Sequence, residues 1–197
     1  IYVLLGADGW LFYAEDGAIE DMAQAEPFTA DELAAWRATV TRTRDWLQAR
    51  GIAYVFTVAP DKHAIYPEAI PPTVRRIGRA SRTDQLLEAL ADTGVTIDVR
   101  PALLDAKPRE RLYHQTDTHW NARGAYAAYR VLVDRLHGAR PRVPAPWPRS
   151  DFEDTERQTL GRDLAGMLGL TYTLGERDLG LRPIRARRAQ VIEIGRA

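Results

Sequence analysis

Ile52-Ala53-Tyr54-Val55-Phe56-Thr57-Val58 is the stretch on which the fold turns. It is a near-continuous apolar and β-branched run, the pattern of a strand buried in a parallel sheet rather than one with a wet face. Upstream, Thr29-Ala30-Asp31-Glu32 fits a capping box, and Leu33, Trp36, Val40 and Leu47 follow at helical spacing as far as a stop at Gly51. Downstream, Pro60 to Glu68 reads as a loop at the strand's carboxyl end. Ser81 and Asp84 open a second helix carrying Leu86, Leu87 and Leu90, closed by Gly94. Val95 to Val99 is a third strand candidate, Pro101 to Leu104 a short helical turn, and Leu112 to His114 a short strand. From Asn121, the positions Ala125, Tyr129, Leu132, Val133 and Leu136 form an apolar stripe that ends at Gly138. Strand and helix alternate from 29 to 138, which predicts an α/β fold with a mostly parallel sheet. In such sheets the functional loops gather at the carboxyl ends of the strands.

The flanks are less regular. Ile1 to Leu5 and Trp10 to Tyr13 read as a hairpin about Gly6-Ala7-Asp8-Gly9, and residues 14–28 as acidic and irregular. Four prolines (Pro141, Pro144, Pro146, Pro148) make a stiff excursion over 141–148. Asp163 to Leu170 suggests a short helix and cap. Arg182 to Arg188 is basic, with Arg185, Arg187 and Arg188 crowded ahead of a last strand, Gln190 to Ile194. At 197 residues the expectation is one domain. The chain starts in a strand-like run without Met and ends just after another, so it reads as a piece of a longer protein, with any targeting segment outside it.

Composition excludes more than it assigns. Lys and Arg number 27 and so do Asp and Glu, so no global field argues for nucleic acid or an acidic membrane. No apolar run is long enough to span a membrane. The absence of cysteine removes disulfides, thiolate metal sites and a Cys nucleophile.

The chemistry concentrates in Tyr113-His114-Gln115-Thr116-Asp117-Thr118-His119-Trp120-Asn121. Asp117 and His119 are two apart, so in an extended segment their side chains leave one face. A carboxylate beside an imidazole fixes its tautomer and stabilises the imidazolium, as a general base requires. The competing reading makes Asp117 a structural cap and His119 a hydrogen-bonding bystander, with Asn121 the N-cap of the next helix. His114, Asp117 and His119 also form a weaker zinc-like set, without a second cluster to complete it. No nucleophile accompanies the pair: Ser81 reads as an N-cap, and Ser150 lies at the edge of the proline-rich stretch. Lys62, in the 60–68 loop, is a candidate to bind an anion or orient a neighbour.

Taken together these residues resemble the SGNH hydrolase-like domains of alginate O-acetyltransferases. Gly6-Ala7-Asp8-Gly9-Trp10-Leu11-Phe12 is similar to that family's opening, and Pro60-Asp61-Lys62 with Tyr66-Pro67-Glu68 to its P-x-K…Y-P-E loop. Thr116-Asp117-Thr118-His119-Trp120 resembles its Asp-x-His-Trp signature, and Asp163 to Leu170 its D-L-A-x-M-L-G-L segment. The resemblance implies a three-layer α/β/α, flavodoxin-like fold, here incomplete at its carboxyl end. It implies a periplasmic or secreted enzyme that acetylates hydroxyls of an exopolysaccharide through a Ser–His–Asp triad. His119 would be the base, Asp117 its orienting partner, and the serine would lie beyond Ala197. Lys62, Tyr66 and Trp120 are the expected substrate contacts. The partners would be a polysaccharide acceptor and an acetyl donor supplied by a membrane O-acyltransferase, with no cofactor and no metal. Acetyl esterase, or a non-catalytic carbohydrate-binding or assembly domain, are the alternatives.

Overall fold

The computed structural model describes residues 2–185. Val3–Leu5 (β1) and Leu11–Tyr13 (β2) form the expected antiparallel hairpin, joined by a 3-10 turn over Ala7–Gly9. Asp8 and Gly9 sit at φ of 51° and 78°, a left-handed reversal that glycine adopts freely and aspartate tolerates. Ala18–Ala23 (α1) is a helix inside the segment expected to be irregular. With under about two turns, it carries too little periodicity to be read from sequence.

Ala30–Gln48 (α2) has its capping box. Thr29 Oγ1 accepts from the Glu32 N–H at 3.2 Å, and Glu32 Oε2 accepts from the Thr29 N–H at 2.8 Å. Phe56–Thr57 (β3) is followed by the single turn Lys62–Ile65 (α3), a 3-10 turn over Pro67–Ala69, and Arg82–Ala89 (α4), capped by Ser81 and Asp84 as expected. Thr96–Ile97 (β4), Arg100–Ala106 (α5) and Ala122–Ala139 (α6) complete the alternation. Gly138 lies inside α6 rather than ending it.

β3 and β4 pair in parallel, Phe56 opposite Thr96. Tyr54, Phe56 and Val58 pack with Val40 of α2, Leu86 of α4 and Leu90 just after it. Val55 packs the other way, into a core that includes Leu103 of α5 and Ala128 of α6. Alternate side chains of one extended segment thus bury opposite faces, and helices cover both. This is the three-layer α/β arrangement.

Two features refine the expectation. The Ile52–Val58 run has the predicted burial on both faces, but only two of its residues join a ladder, because β4 is itself two residues long. Among the described residues β3–β4 is the one parallel pair. The other two pairs are antiparallel: β1–β2, and a ribbon of Phe152–Thr159 (β5) with Glu176–Pro183 (β6). That ribbon was not expected. Its register sets Arg157 opposite Asp178, 3.1 Å apart, and Glu153 opposite Arg182, also an ion pair. Cross-strand charge pairs take the place of an apolar face, so hydropathy alternation does not announce it. Asp163–Met167 (α7) fills the connection between the two strands. The proline-rich excursion is tied to α6, where the Tyr126 hydroxyl donates to Trp147 O and Tyr129 Oη accepts from the Trp147 N–H, both at 3.0 Å. In the basic tail, Arg185 Nε lies 3.0 Å from Asp151 Oδ2. Arg187, Arg188 and the Gln190–Ile194 strand lie outside the described residues.

Candidate active site

Leu112 to Asn121 closes on itself as a tight loop. The Asn121 N–H donates to Leu112 O at 2.8 Å, Tyr113 bridges to Trp120, and the His114 N–H donates to His119 O at 3.2 Å. Asn121 is the expected cap: its Oδ1 accepts from the N–H groups of Arg123 and Gly124 at 2.9 and 3.1 Å. Its Nδ2 donates back to Arg111 O at 2.7 Å, tying helix start to loop start. A Cβ on Gly124 would stand 2.3 Å from Leu112 O, so α6 can begin this close to the loop only with glycine there.

At the tip of the loop His119 Nδ1 lies 2.6 Å from Asp117 Oδ1, which also accepts from the His119 N–H at 3.0 Å. The Asp117 side chain is 14% exposed and that of His119 76%. Burial raises the Asp117 carboxyl, but the backbone and ring donors of His119 outweigh it and leave the carboxyl below its ordinary value. An ionised carboxylate takes a donor, so the proton sits on Nδ1 and the lone pair on Nε2 of an exposed ring. That is the arrangement of a base waiting for a hydroxyl.

Besides these backbone bonds, three charged side chains hold the loop. Lys62 Nζ donates to the carbonyls of His114 (3.1 Å), Gln115 (3.2 Å) and Asp117 (2.6 Å). From another side, Glu176 Oε2 accepts from the N–H groups of Gln115 (2.6 Å) and Thr116 (3.1 Å). Glu176 Oε1 accepts from Arg162 Nε at 3.0 Å and lies 2.9 Å from His114 Nδ1. Asp163, at the start of α7, accepts from the Thr118 N–H (3.2 Å) and hydroxyl (3.0 Å). Every residue from 114 to 118 thus gives at least one backbone group to Lys62, Glu176 or Asp163.

The structure brings together the expected pair but rearranges its neighbours. Lys62 and Tyr66, expected at the substrate, are turned inward, because residues 62–65 form a helical turn instead of an open loop. Lys62 is 4% exposed, and Tyr66 stacks on Trp10 at 4.3 Å while its Oη accepts from the Leu112 N–H at 2.9 Å. Trp120 is half-buried, with its ring 6.4 Å from that of Tyr113. The zinc-like set does not assemble, since the His114 ring lies against Glu176. Ser81 Oγ is occupied as the α4 cap, and Ser150 sits in a 3-10 turn over Arg149–Asp151. Sequence reading missed Glu176 and Arg162 altogether and took Asp163 only as the start of a motif.

Lys62 supplies a pH test. Burial pulls its ammonium down to about 8, with Glu176 and Asp117 opposing that shift. The unfolded chain keeps this proton up to the ordinary value of 10.5, so between the two the unfolded state binds more protons than the folded one. Stability from this group is therefore full above 10.5 and is lost as pH falls through about 8. The stability of the intact protein relative to its Lys62→Met variant is expected to rise over that window, by up to about 1.4 kcal/mol per pH unit. Denaturant midpoints at several pH values read it, and a flat difference would mean that Lys62 is not a buried ammonium.

The chain matches a known family over most of its length. The profile described as "SGNH hydrolase-like domain, acetyltransferase AlgX" matches residues 3–190. The chain belongs to that family. Within the AlgX family and its relations, it is 31% identical over 131 residues to the probable alginate O-acetylase AlgJ of Pseudomonas syringae pv. tomato, covering 66% of this chain and 32% of that protein. The chain thus spans about a third of the length of the curated relatives it matches. Among solved structures it resembles the O-acetyltransferase domain of Pseudomonas putida AlgJ, with a TM-score of 0.60 at 24% identity, over 92% of this chain and 66% of that one. It also resembles Bacillus cereus PatB1, with a TM-score of 0.60 at 16% identity, over 92% and 58%. These likenesses show a shared fold, and the matched profile describes it as SGNH hydrolase-like.

Proposed function

We propose that the intact protein is an O-acetyltransferase acting on hydroxyls of an exopolysaccharide or cell-surface polysaccharide, with His119 as general base and Asp117 as its orienting partner. The observation that carries this is the 2.6 Å contact of His119 Nδ1 with a largely buried Asp117, beneath an exposed ring. The likeness to AlgJ, a probable alginate O-acetylase with an O-acetyltransferase domain, supports the acetyl chemistry. His119 Nε2 takes the proton of a serine hydroxyl as its oxygen attacks the donor's acetyl carbonyl. Asp117 stabilises the imidazolium, and that proton passes to the donor's leaving oxygen. A sugar hydroxyl then gives its proton to His119 and attacks the acetyl-serine, and the proton returns to the serine oxygen.

The serine is neither Ser81 nor Ser150. It belongs, on this reading, to a part of the protein outside residues 1–197, which themselves form one domain. The setting is periplasmic or secreted, with acetyl groups delivered by a membrane O-acyltransferase. Among the described residues no helix is long and apolar enough to cross a membrane.

The test gives the intact protein an aryl acetate and an oligosaccharide and follows the sugar by mass spectrometry. Acetylated sugar is the expected product. Acetate alone would replace transferase by esterase, the same chemistry with water as acceptor. Neither product would leave the non-catalytic carbohydrate-binding alternative in its place.

A further inference from the structure

A cleft of about 580 Å³ opens between the segment that joins β2 to α1 and the helices α2, α3 and α4. Thr118 borders it, and although Asp117 and His119 do not line it, the Thr118 hydroxyl is 3.2 Å from His119 Nδ1, which places the cleft next to the Asp–His pair. Part of its wall is aromatic: Tyr13, Phe28 and Trp36 line it, and Trp36 is 40% exposed. Such faces stack on the C–H faces of sugar rings, while carboxylates beside them accept hydrogen bonds from sugar hydroxyls.

Four carboxylates border the cleft, Glu15, Asp16, Asp21 and Asp61, against two cations, Lys62 and Arg82, and the His63 imidazole. The cationic and imidazole groups on the same wall are already engaged. Lys62 Nζ faces three backbone carbonyls, and Arg82 bonds the Glu26 carbonyl at 2.8 Å and its carboxylate at 3.2 Å. His63 Nε2 lies 3.0 Å from Asp21 Oδ2, a contact that holds the Asp21 carboxyl below its ordinary value and therefore charged. A polyuronate brings one carboxylate per sugar ring into this field, and like charges at close quarters repel.

Building on the proposed function, we infer that this cleft is the acceptor subsite and that it takes a glycan without acidic groups, excluding polyuronates such as the alginate named for its relatives. The carboxylates select by repulsion, and the aromatic wall supplies the attraction that remains.

The experiment titrates the intact protein by calorimetry with two hexamers of one β-linked mannose backbone. One is oxidised to the uronic acid, and the other is neutral, so they differ only in charge. The neutral hexamer is expected to bind about tenfold more tightly at low salt. Added salt narrows the gap by strengthening the uronate, because screening weakens repulsion between exposed charges. The double variant Glu15→Gln, Asp16→Asn narrows it in the same way, and Trp36→Ala weakens the neutral hexamer several-fold. Equal or tighter binding of the uronate overturns the inference. So does a gap unmoved by the double variant, or failure of both hexamers to bind. Ester turnover that depends on His119 is read separately. If it holds while the uronate binds better, only the cleft assignment falls; if it is absent, the functional reading falls whichever hexamer binds.

Discussion

In the intact protein, His119→Ala is expected to slow acetyl release from an aryl acetate by about a thousandfold or more, with Asp117→Asn close behind. The two losses have different causes. On the proposed reading His119 provides the lone pair: its ring is exposed, while the loop's other imidazole, His114, is buried against Glu176. The His119 ring is 76% exposed, but alanine leaves the largely buried Asp117 carboxylate without its ring donor, so the variant should lose about 1–2 kcal/mol of stability. A thousandfold rate loss in a variant that still melts as a folded protein is then a chemical loss. Asp117→Asn keeps the side-chain volume but turns an acceptor into a group that can donate. Facing an amide N–H, the imidazole presents its lone pair at Nδ1 and its proton at Nε2, the wrong tautomer for a base. The amide oxygen also cannot replace a charge that stabilises the imidazolium. Because the residues act as one unit, the double variant should lose little more than either single one. Turnover that survives His119→Ala would place the chemistry elsewhere in the molecule, and losses that multiply would separate Asp117 from the base.

The pair was legible in the sequence because its signal is local: Asp and His two apart, an Asn that caps, and an apolar stripe after it. The long helices were legible for the same reason, since Thr29 with Glu32 and Ser81 with Asp84 state their own beginnings. What supports the pair was not legible, because it arrives from afar. Lys62 looks like a solvated lysine among Pro60, Asp61 and His63. Only a single helical turn, with Trp10 and Phe12 about 5.5 and 5.3 Å from its ammonium, sends it inward to carbonyls more than fifty residues away. Tyr66 shows the same limit: expected at the substrate, its hydroxyl is instead spent on the Leu112 N–H. His114 was a plausible third member of a metal set until the loop closed through its own N–H and left its ring against Glu176. The family resemblance pointed to stretches that the fold brings together, while the inward directions of the Lys62 and Tyr66 side chains are carried by no motif.

Glu176→Ala is expected to destabilise the intact protein by about 3–5 kcal/mol, although Glu176 lies 57 residues beyond His119 in a strand of mixed charge. Its side chain is 1% exposed. Burial raises its carboxyl, but the His114 contact and the N–H groups of Thr116 and Gln115 outweigh burial and leave it below the ordinary value. The carboxylate is therefore ionised and fully engaged. Alanine would strand the Gln115 and Thr116 donors in the interior and remove one of the two carboxylates on Arg162, which would keep Asp178 at 3.1 Å. Glu176→Gln keeps an acceptor of the same shape and should cost less, about 1–2 kcal/mol, mainly by weakening charge-assisted bonds. The sign with pH follows. A depressed folded value means that the stability is fully present above the unfolded value near 4.5 and is lost as pH falls through the folded one. The gap between wild type and Glu176→Gln should thus be wide at neutral pH and shrink in acid. Glu176 touches no reacting atom, so its effect on catalysis runs through the loop. A displacement of the base by about 1 Å can cost a hundredfold in rate, and Glu176→Gln should recover much of what alanine loses. If Glu176→Ala unfolds no earlier than wild type, the loop is held without Glu176, and the preorganisation of His119 does not depend on the β6 strand.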